Sequence, residues 1–507
     1  MEQESHPAGW RPMQVDTGWI WARVLEIMRC KATLARGLIL LGLTIPVYGG
    51  EVQRIGHTNL APRHTAPDDK GMYAAAIDPT NGYAYFIGSW MVKLDITGNL
   101  PVQVGPALVT GQSSSIAIDV AAGYLYQSLG SGVTKFALGN GASSMTNLGS
   151  LSLAAGSSQG IVVDDSDPNP ANHNLYAVCV VSGNPARVAK VSLNTFTEQG
   201  FVSLGTGLTN TTLGHTVDAR KGYAYFVMGG IPNTTNGPRV VKIKMTPGAS
   251  APVLIGAANL DTTGTNLFLD GGSIDTVHGY AYYGTYDSDT NIPGHVYKVK
   301  LENGDVPPTL VGRIDLHAGE GRLAASFCDP ANGFVYFADD NTYPGHLYQL
   351  AMNGTNLPIE IGRTPMQGTT NVPPPDGTTS TNTTVNSDGV LPFGEVYFRS
   401  AVIDPVRGFA YLGQDSRPNQ VVKVQVAKVD PFTLNNPHVA DGSFQFNFTN
   451  IMGASFVTYA STNAAQMFSN WNALGSVMET APGQYQFTDP QATASSSKRF
   501  YRAGQGP

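Results

Sequence analysis

Several residues in this sequence have the types and spacings that could support chemistry. The segment GSSQG at 156–160 has the G-x-S-x-G spacing of a serine nucleophile. It leads into a strand-like run, however, whereas a nucleophile elbow requires a strand, a sharp turn and then a helix. His295 and His346 occupy the same place in the related segments PGHVYKV and PGHLYQL. They could converge as ligands, although two residues that begin equivalent strands are the simpler interpretation.

Acidic loops are the second chemical feature. DDSDPN at 164–169 and YDSDTN at 286–291 offer the oxygen ligands that Ca²⁺ uses. Both loops lack the glycine and the distal glutamate of an EF-hand loop, so ordinary turn chemistry is the alternative. The sequence has no HExxH motif, paired-histidine motif or phosphate-cradling loop. We therefore predict no catalytic residue, no metal ligand and no cofactor, with Ca²⁺ the one ion left open.

Lysines and cysteines complete the chemically notable residues. Lysine recurs at one place in a repeated strand, as Lys93, Lys135, Lys190, Lys242, Lys298 and Lys423. If these strands pack face to face, each ammonium group must reach solvent or pair with another group, such as a repeated aspartate. Three cysteines cannot form a disulfide framework, and Cys179 and Cys328 lie in strand-like runs. We interpret the lysines as structural and these two cysteines as buried free thiols.

The elements that would position these residues repeat along the chain. An aspartate followed four residues later by glycine and an aromatic residue occurs in segments such as AAIDPTNGYAYF, HTVDARKGYAYF and AVIDPVRGFAYL. The aspartates are Asp78, Asp119, Asp164, Asp218, Asp275, Asp329 and Asp404, and the glycines are Gly82, Gly123, Gly222, Gly279, Gly333 and Gly408. The copy at Asp164 has a lengthened turn in place of the glycine. The intervals of 41 to 75 residues between aspartates fit a unit of about four short strands.

Each unit reads as four antiparallel strands. The segment before the aspartate is the first strand, and a tight turn follows, because the aspartate can accept backbone N–H groups and the glycine tolerates positive φ. Segments like YAYF, VVKIKM and PVLIGAANL are the second, third and fourth strands. No fourth strand follows the last third strand, VVKVQV at 421–426, but VQRIGHTNL at 52–60 matches that strand.

The displaced fourth strand predicts a closed ring. If residues 52–60 complete the last unit, the chain is an all-β, seven-bladed β-propeller without exposed sheet edges. An open solenoid of the same units would need polar caps at both ends, and we find none. The count would become six or eight blades if the Asp164 unit or the polar insertion at 366–394 were assigned differently.

The repeats resemble those of a known class of protein. Their DPxxGYAYF and VxKV elements resemble the YVTN and NHL-like β-propellers of exported bacterial proteins, over about residues 51–427. After a stretch at 428–443 that is a linker or a first strand, residues 444–507 resemble the small C-terminal β-sandwich module of large exported bacterial proteins, through YAST, NWNALG, YQFTDP and RFYRA. Asn463 stands where that module usually has aspartate. The first resemblance implies a propeller that serves binding or catalysis, and the second implies surface attachment without chemistry.

The N-terminus predicts a leader at residues 1–50. Three basic residues between positions 29 and 36 precede the apolar run GLILLGLTIPVYGG, an order typical of a secretory signal that is cleaved near residue 49 or 50. The signal would begin at Met28, which makes residues 1–27 an upstream extension. An N-terminal membrane anchor is the alternative, and no later segment is apolar enough to span a membrane. The formal net charge of −7, without a basic stripe, argues against nucleic-acid binding.

Loop lengths indicate where a ligand would bind. In a four-stranded antiparallel blade the 1–2 and 3–4 turns share one face, and here they are mostly tight. The 2–3 and 4–1 loops share the other face and are long, and binding residues lie disproportionately on such loops. The candidate residues on this loop-rich face are Asn233, Tyr286, Asp287, Asp289, His295, Asp339, Asp340, Tyr343 and His346. Drift in solvated loops is the alternative, which we favour for the insertion at 366–394.

Three hypotheses of function follow. The first is a secreted, periplasmic or cell-surface β-propeller that binds an unknown protein or carbohydrate partner, as a monomer and without catalysis. The second is a propeller-type enzyme (a lyase, a lactonase-like hydrolase or a quinone-dependent dehydrogenase) with a metal or cofactor at the central channel. The residues just before each repeated aspartate, mostly Ser, Ala and Gly with His215, offer few metal ligands. The third is a cell-envelope structural protein without a soluble ligand.

Overall fold

A computed structural model describes most of the chain from residue 52 to residue 505. The described ranges are 52–61, 71–261, 268–366, 395–426 and 433–505, apart from gaps at 112, 114, 207, 210, 230–236, 287–292, 318–319, 341, 343, 416–418, 441–442, 450–455, 465, 467–470, 482–483, 490–491 and 493–498. The predicted leader, nearly all of the 366–394 insertion and the candidates Asn233, Asp287, Asp289 and Tyr343 lie outside these ranges. Within them, no helix is long and apolar enough to cross a membrane.

Strands dominate the described ranges, where the helical elements are two 3₁₀ turns, Pro170–Asn172 and Ala219–Lys221. The first strands are β1 (Gln53–Asn59), β2 (Ala74–Asp78), β3 (Tyr83–Ile87), β4 (Trp90–Asp95), β5 (Val102–Gln103), β6 (Leu108–Val109), β7 (Ile116–Asp119), β8 (Tyr124–Leu129), β9 (Gly132–Ala137) and β10 (Thr146–Ser152). The next are β11 (Ser157–Asp164), β12 (Asn174–Val181), β13 (Asn184–Ser192), β14 (Thr197–Ser203), β15 (Thr216–Asp218), β16 (Tyr223–Met228), β17 (Arg239–Lys244), β18 (Val253–Asn259), β19 (Phe268–Asp275) and β20 (Tyr280–Tyr286). They continue with β21 (His295–Lys300), β22 (Thr309–Asp315), β23 (Leu323–Asp329), β24 (Phe334–Asp339), β25 (His346–Ala351), β26 (Ile359–Pro365), β27 (Phe398–Asp404), β28 (Phe409–Gln414) and β29 (Gln420–Gln425). The last are β30 (Asn435–Ala440), β31 (Ser443–Thr449), β32 (Phe456–Ser461), β33 (Asn472–Ser476), β34 (Met478–Ala481), β35 (Gln484–Asp489) and β36 (Phe500–Gln505).

The strands from β1 to β29 form seven antiparallel sheets in the described ranges. Sheet 1 contains β2 to β5 with β6 beside β4, sheet 2 β7 to β10, sheet 3 β11 to β14, sheet 4 β15 to β18, sheet 5 β19 to β22, sheet 6 β23 to β26, and sheet 7 β27 to β29 with β1. In sheet 7 the N-terminal β1 pairs with β29, and Thr58 lies opposite Val421. The prediction of an all-β chain made of four-stranded antiparallel units is confirmed.

Neighbouring sheets pack face to face. The first strand of each sheet contacts the first strand of the next, from β2 through β7, β11, β15, β19 and β23 to β27, which also contacts β2. Hydrophobic clusters fill the space between sheets, as where Val178 and Val188 of sheet 3 pack with Phe226 and Val241 of sheet 4. The fold is therefore propeller-like, and its apolar core lies between consecutive sheets.

The repeated lysine joins each sheet to the turn of the next one. Lys242 in β17 donates to four backbone carbonyls of the turn between β21 and β22 at 2.8–3.1 Å, those of Leu301, Glu302, Gly304 and Val306. Its ammonium nitrogen lies 4.1 Å from the centre of the Tyr223 ring. Lys93 likewise donates to four carbonyls of the turn of sheet 2, and Lys298 to three carbonyls of the turn of sheet 6. The predicted pairing with a repeated aspartate is replaced by pairing with turn carbonyls, because the neighbouring turn presents several of them to one point.

A glycine in the fourth strand permits this close approach. Gly256 lies opposite Lys242, and Gly312 lies opposite Lys298, each beside a β-bulge. A Cβ on Gly256 would lie 2.7 Å from Pro307 of the next turn, and one on Gly312 would lie 2.9 Å from Leu357. A side chain at either glycine would push the turn away from the lysine. The bulge also twists the outer strand, which discourages edge-to-edge pairing with other chains.

Gln349 is the exception to the lysine pattern. It occupies the lysine position in sheet 6, and its amide donates to the Tyr336 hydroxyl at 3.1 Å. The next sheet is sheet 7, whose fourth strand comes from the N-terminus, so no turn joins its third and fourth strands. The Tyr336 hydroxyl donates instead to the Val426 carbonyl at 3.3 Å. A lysine is absent where there is no turn for it to cap.

The C-terminal part contains two further antiparallel sheets. One has the strand order β30-β31-β35-β34 and the other β33-β32-β36. Both contribute to an aromatic cluster that includes Phe446, Phe448, Phe456 and Tyr485. The linker predicted at 428–443 contains β30, which pairs with β31 at the sheet edge. The sequence predicts either a linker or a first strand in this stretch, and a proline is compatible with an edge strand.

Replacing Lys242 with methionine should lower the free energy of unfolding by about 3 kcal/mol, because the turn carbonyls that face its fully buried ammonium group would lose their donor. Lys244, two residues further on, is a matched control, since it is exposed and forms a surface ion pair with Asp305. Lys244→Met should cost less than about 1 kcal/mol. Urea denaturation followed by intrinsic fluorescence measures both variants. Equal losses would mean that Lys242 contributes no more than a surface charge.

Candidate functional site

The repeated aspartates organise the turns that follow them. In six units the Oδ1 atom accepts a hydrogen bond from the backbone N–H three residues later at 2.9–3.2 Å, as from Asn81 to Asp78 and from Arg407 to Asp404. The glycine that closes each of these turns has φ between 70° and 78°, where a side chain is disfavoured. These residues therefore fix the turns on the face opposite the long loops.

The lengthened turn of the Asp164 unit contacts the preceding sheet. His173 at its end is buried, and its Nδ1 lies 2.8 Å from Asp119 Oδ2. Its Nε2 lies 2.7 Å from the Asp167 carbonyl. Burial alone would lower the pKa of His173, but the hydrogen bonds to Asp119 and Asp167 outweigh burial and raise the pKa. The histidine anchors the turn and faces no open cavity.

The two candidate ligand histidines bond within their own sheets. His295 begins β21, and its Nδ1 lies 2.7 Å from Asp315 Oδ1. His346 begins β25, and its Nδ1 lies 2.8 Å from Thr342 Oγ1. The Thr342 hydroxyl lies 2.7 Å from Oδ2 of the fully buried Asp339, and the His346 N–H donates to Asp339 Oδ1 at 3.2 Å. Burial lowers the pKa of both histidines.

GSSQG and the cysteines offer no reactive nucleophile. Ser158 is buried within β11, a strand that runs from Ser157 to Asp164, so the strand-turn-helix geometry of a nucleophile elbow does not form. Cys179 is buried and Cys328 is half-buried, and both are free thiols. Burial raises the pKa of Cys179 to about 12 and also raises that of Cys328. Thiolate, the nucleophilic form, is therefore suppressed at both positions.

The first strands surround a small cavity. Its volume is about 150 Å³, and most of its wall is formed by small residues such as Ala74, Gly214, Gly271 and Ser326. Tyr73, Asp270 and Arg399 also line it. They lie where the first strands of sheets 1, 5 and 7 begin, which places them on the face of the long loops. We call the group formed by these residues and their partners Tyr286, Asp340 and Asp415 the channel-mouth cluster.

Arg399 is the centre of the channel-mouth cluster. Its Nη2 lies 2.8 Å from Asp340 Oδ2 and donates to the Tyr286 hydroxyl at 2.7 Å. Its Nη1 lies 3.8 Å from Asp270 Oδ2, and its Nε lies 3.6 Å from Asp415 Oδ2. The guanidinium also lies 4.7 Å from the centre of the Tyr286 ring. One arginine thus links side chains from several sheets.

Burial changes the acidity of this cluster. It raises the pKa of the fully buried Asp340 to about 7, although Arg399 and Arg322 oppose the rise and the nearby Asp270 adds to it. Burial also raises the pKa of Asp270 to about 6. Oδ1 of Asp340 has no hydrogen-bond partner among the described residues. The cluster therefore holds a buried carboxylate that a proton or a ligand donor would satisfy.

Sequence reasoning selected Tyr286 and Asp340 but missed Arg399, Asp270, Asp415 and Tyr73. An alignment of the repeats contains a pattern that identifies these residues. Tyr73, Asp270 and Arg399 each lie five residues before a repeated aspartate, whereas Tyr286, Asp340 and Asp415 each lie eleven residues after one. These two repeat positions vary while the turn positions do not, which is typical of a binding surface on a fixed scaffold.

Comparisons with known proteins do not identify a family for this chain. No protein-family model matches the sequence, and no curated protein matches it. Among solved structures, the chain is similar to the β-propeller domain of Cps50 (Swd1) from Myceliophteria thermophila, with a TM-score of 0.48 and 9% identity, over 73% of this chain and 100% of that one. It is similar to the WD40 β-propeller domain of Doa1, with a TM-score of 0.46 and 9% identity, over 74% and 98% of the two chains. Similarity to Sqt1 from Saccharomyces cerevisiae has a TM-score of 0.46 and 9% identity, over 75% and 100%. At this level of similarity, function has to be argued from the site itself.

Asp340→Asn should change how stability depends on pH. The pKa of Asp340 rises from 3.8 in the unfolded chain to about 7 in the folded protein, so the stability from its protonation is fully present below pH 3.8 and is lost as the pH rises through 7. Asparagine cannot titrate. The stability of the wild-type protein relative to Asp340→Asn should therefore fall between about pH 4 and pH 8.

Urea denaturation at several pH values measures this difference. Asp305→Asn, at an exposed carboxylate on a turn of the opposite face, is the control and should differ from the wild type by a constant amount above pH 5. A wild-type advantage that grows with pH would show that Arg399 keeps Asp340 ionised throughout this range.

Proposed function

We propose that the protein is an exported binding module: a seven-bladed β-propeller, closed by its N-terminal strand, that recognises a protein or carbohydrate partner through its loop-rich face. The channel-mouth cluster carries this proposal, because charged and aromatic side chains from four sheets meet there on one rigid surface. Export is proposed from the leader-like N-terminus, from the resemblance of the repeats to YVTN and NHL-like propellers, and from the resemblance of residues 444–507 to the C-terminal module of large exported bacterial proteins. The location would be secreted, periplasmic or cell-surface.

Contacts between sheets 7 and 1 support ring closure. The Ser400 hydroxyl donates to the Met72 carbonyl at 2.7 Å, and Arg407 donates to the Pro79 carbonyl at 2.9 Å. Arg54 of β1 is held by the fully buried Glu395, whose carboxylate accepts from its Nε at 2.7 Å. The glutamine in place of lysine at position 349 also fits a last blade that has no turn between its third and fourth strands.

A disulfide tests the closure. Thr58 and Val421 are directly paired across β1 and β29, so Thr58→Cys combined with Val421→Cys should form a crosslink under mild oxidation. Thr58→Cys with Val422→Cys is the control, because neighbouring residues of a strand point to opposite faces. Peptide mapping by mass spectrometry without reduction identifies the bond. Crosslinking of the control pair but not the first would contradict the proposed register.

The cluster suggests what part of a partner would bind. Asp270, Asp340 and Asp415 outnumber Arg399, and one buried carboxylate oxygen lacks a donor. A partner that presents N–H or O–H donors would satisfy this oxygen, whereas an apolar group would leave it unpaired. Because the cluster side chains are already held by contacts between sheets, they would lose little entropy on binding.

Binding experiments with face-specific variants test this function. The full chain is screened against a random peptide library and a glycan array, and the best binder is measured with each variant. Tyr286→Ala and Asp340→Asn should weaken binding by about tenfold or more. Val277→Ser and Val406→Ser remove exposed apolar side chains from turns of the opposite face and should leave binding unchanged. If the two valine variants lost binding while Tyr286→Ala and Asp340→Asn retained it, the binding site would lie on the opposite face.

A propeller-type enzyme is the second candidate, and the pKa of Asp340 near 7 favours it, since such a carboxyl can exchange protons at neutral pH. Turnover of esters or lactones by the full chain, abolished by Asp340→Asn without loss of folding, would replace the binding proposal with this one. Absence of turnover together with face-specific binding would support the binding module.

A further inference from the structure

A second group of polar side chains lies away from the channel-mouth cluster. His317 and Glu320 belong to the connection between β22 and β23, which joins sheets 5 and 6, and Glu360 is in β26, the fourth strand of sheet 6. The imidazole is largely exposed, whereas the side chains of Glu320 and Glu360 are 6% and 19% exposed. The group therefore has a protected floor and one open side.

The spacing of these three side chains suits a small metal ion. His317 Nδ1 lies 3.2 Å from Glu320 Oε2 and 3.7 Å from Glu360 Oε2, and one atom from each residue lies within 4.8 Å of the others. A tetrahedral zinc ion with bonds of about 2.0–2.2 Å places its ligand atoms roughly 3.4 Å apart. The two distances from His317 bracket this value, and side-chain rotation would have to bring the carboxylate oxygens of Glu320 and Glu360 to the same spacing.

Glu320 is oriented before any ion binds. Arg363 forms an ion pair with its Oε1, and the backbone N–H of His317 donates to its Oε2 at 2.9 Å. These contacts hold one carboxylate oxygen on the arginine and direct the other toward the imidazole, which is the usual arrangement of an outer partner around a metal-bound carboxylate. The Glu360 carboxylate forms no hydrogen bond with the described residues, and its Oε2 lies 3.7 Å from His317 Nδ1.

The charge balance also favours a cation. Two carboxylates face one arginine, which leaves an excess of negative charge beside the imidazole of His317. One nitrogen and two carboxylates form a ligand set that suits zinc-class transition metals, whereas Ca²⁺ requires six to eight oxygens. We propose that His317, Glu320 and Glu360 form a binding site for a divalent transition metal of the Zn²⁺ class, with solvent in the remaining position.

Such an ion would tie the connection between sheets 5 and 6 to the outer strand of sheet 6. Because the ligands come from separate segments, binding would stabilise the folded chain in proportion to the free metal concentration. None of the three ligands belongs to the channel-mouth cluster, so the metal site can hold whether or not the proposed binding function does.

Titration of the untagged full chain with Zn²⁺ tests the site. After removal of metals with a chelator, isothermal titration calorimetry should show one ion per chain, with binding weaker at pH 5 than at pH 7.5 because the imidazole must be deprotonated. His317→Ala and Glu360→Gln should each weaken binding by about tenfold or more. His278→Ala is the matched control, since His278 is an exposed histidine beside a single carboxylate, that of Asp275, and should leave binding unchanged.

Circular dichroism checks that each variant is folded, and Ca²⁺ serves as the second probe. Failure of Zn²⁺ to saturate the wild type below about 1 mM would overturn the proposal. So would equal binding by the wild type and His317→Ala, which would place the ion elsewhere, and so would a preference for Ca²⁺. Because the readout is metal binding, a negative result leaves the loop-face experiments unaffected.

Discussion

The contact between a buried lysine and the turn of the next sheet is the interaction on which the rest of the structure depends. A tight turn directs several carbonyls to one side, and in a packed interior these need donors. A single ammonium group such as that of Lys242 satisfies four of them, while the ring of Tyr223 covers its other side. The bulge glycine opposite the lysine keeps the two sheets close enough for these bonds to form.

The contact between lysine and turn explains why lysine recurs in six repeats and why glutamine replaces it in the remaining one. Wherever a sheet faces a neighbour with a turn between its third and fourth strands, the facing residue is lysine. Gln349 faces sheet 7, which borrows β1 as its fourth strand and has no such turn. A charge there would have been buried with fewer acceptors, and an amide is less costly to bury. The glutamine at position 349 is therefore explained by the strand order of sheet 7.

A stiff arrangement of sheets allows the channel-mouth cluster to exist. Arg399, Asp270 and Asp340 come from different sheets, and their mutual distances are set by how the inner strands pack. Holding Asp340 without solvent and with an unpaired oxygen costs stability, which the inter-sheet contacts must offset. On the opposite face, the repeated aspartates instead accept hydrogen bonds from the backbone of their own turns. The turn face is thus built from repeated local contacts, whereas the proposed binding face joins side chains from different sheets.

The sequence by itself determined the local features of this protein. Alternating apolar residues specify strands, and Asp78 with Gly82 specifies a turn, because both signals act over a few residues. The same signals, repeated, predicted four-stranded units and identified the match between residues 52–60 and a fourth strand. Only the tertiary structure decided which repeats meet: it brought Arg399 to Asp270, and Lys242 to the carbonyls near Gly304. Those contacts depend on the packing of separate sheets, and no short-range pattern in the chain encodes the distance between residues more than sixty positions apart.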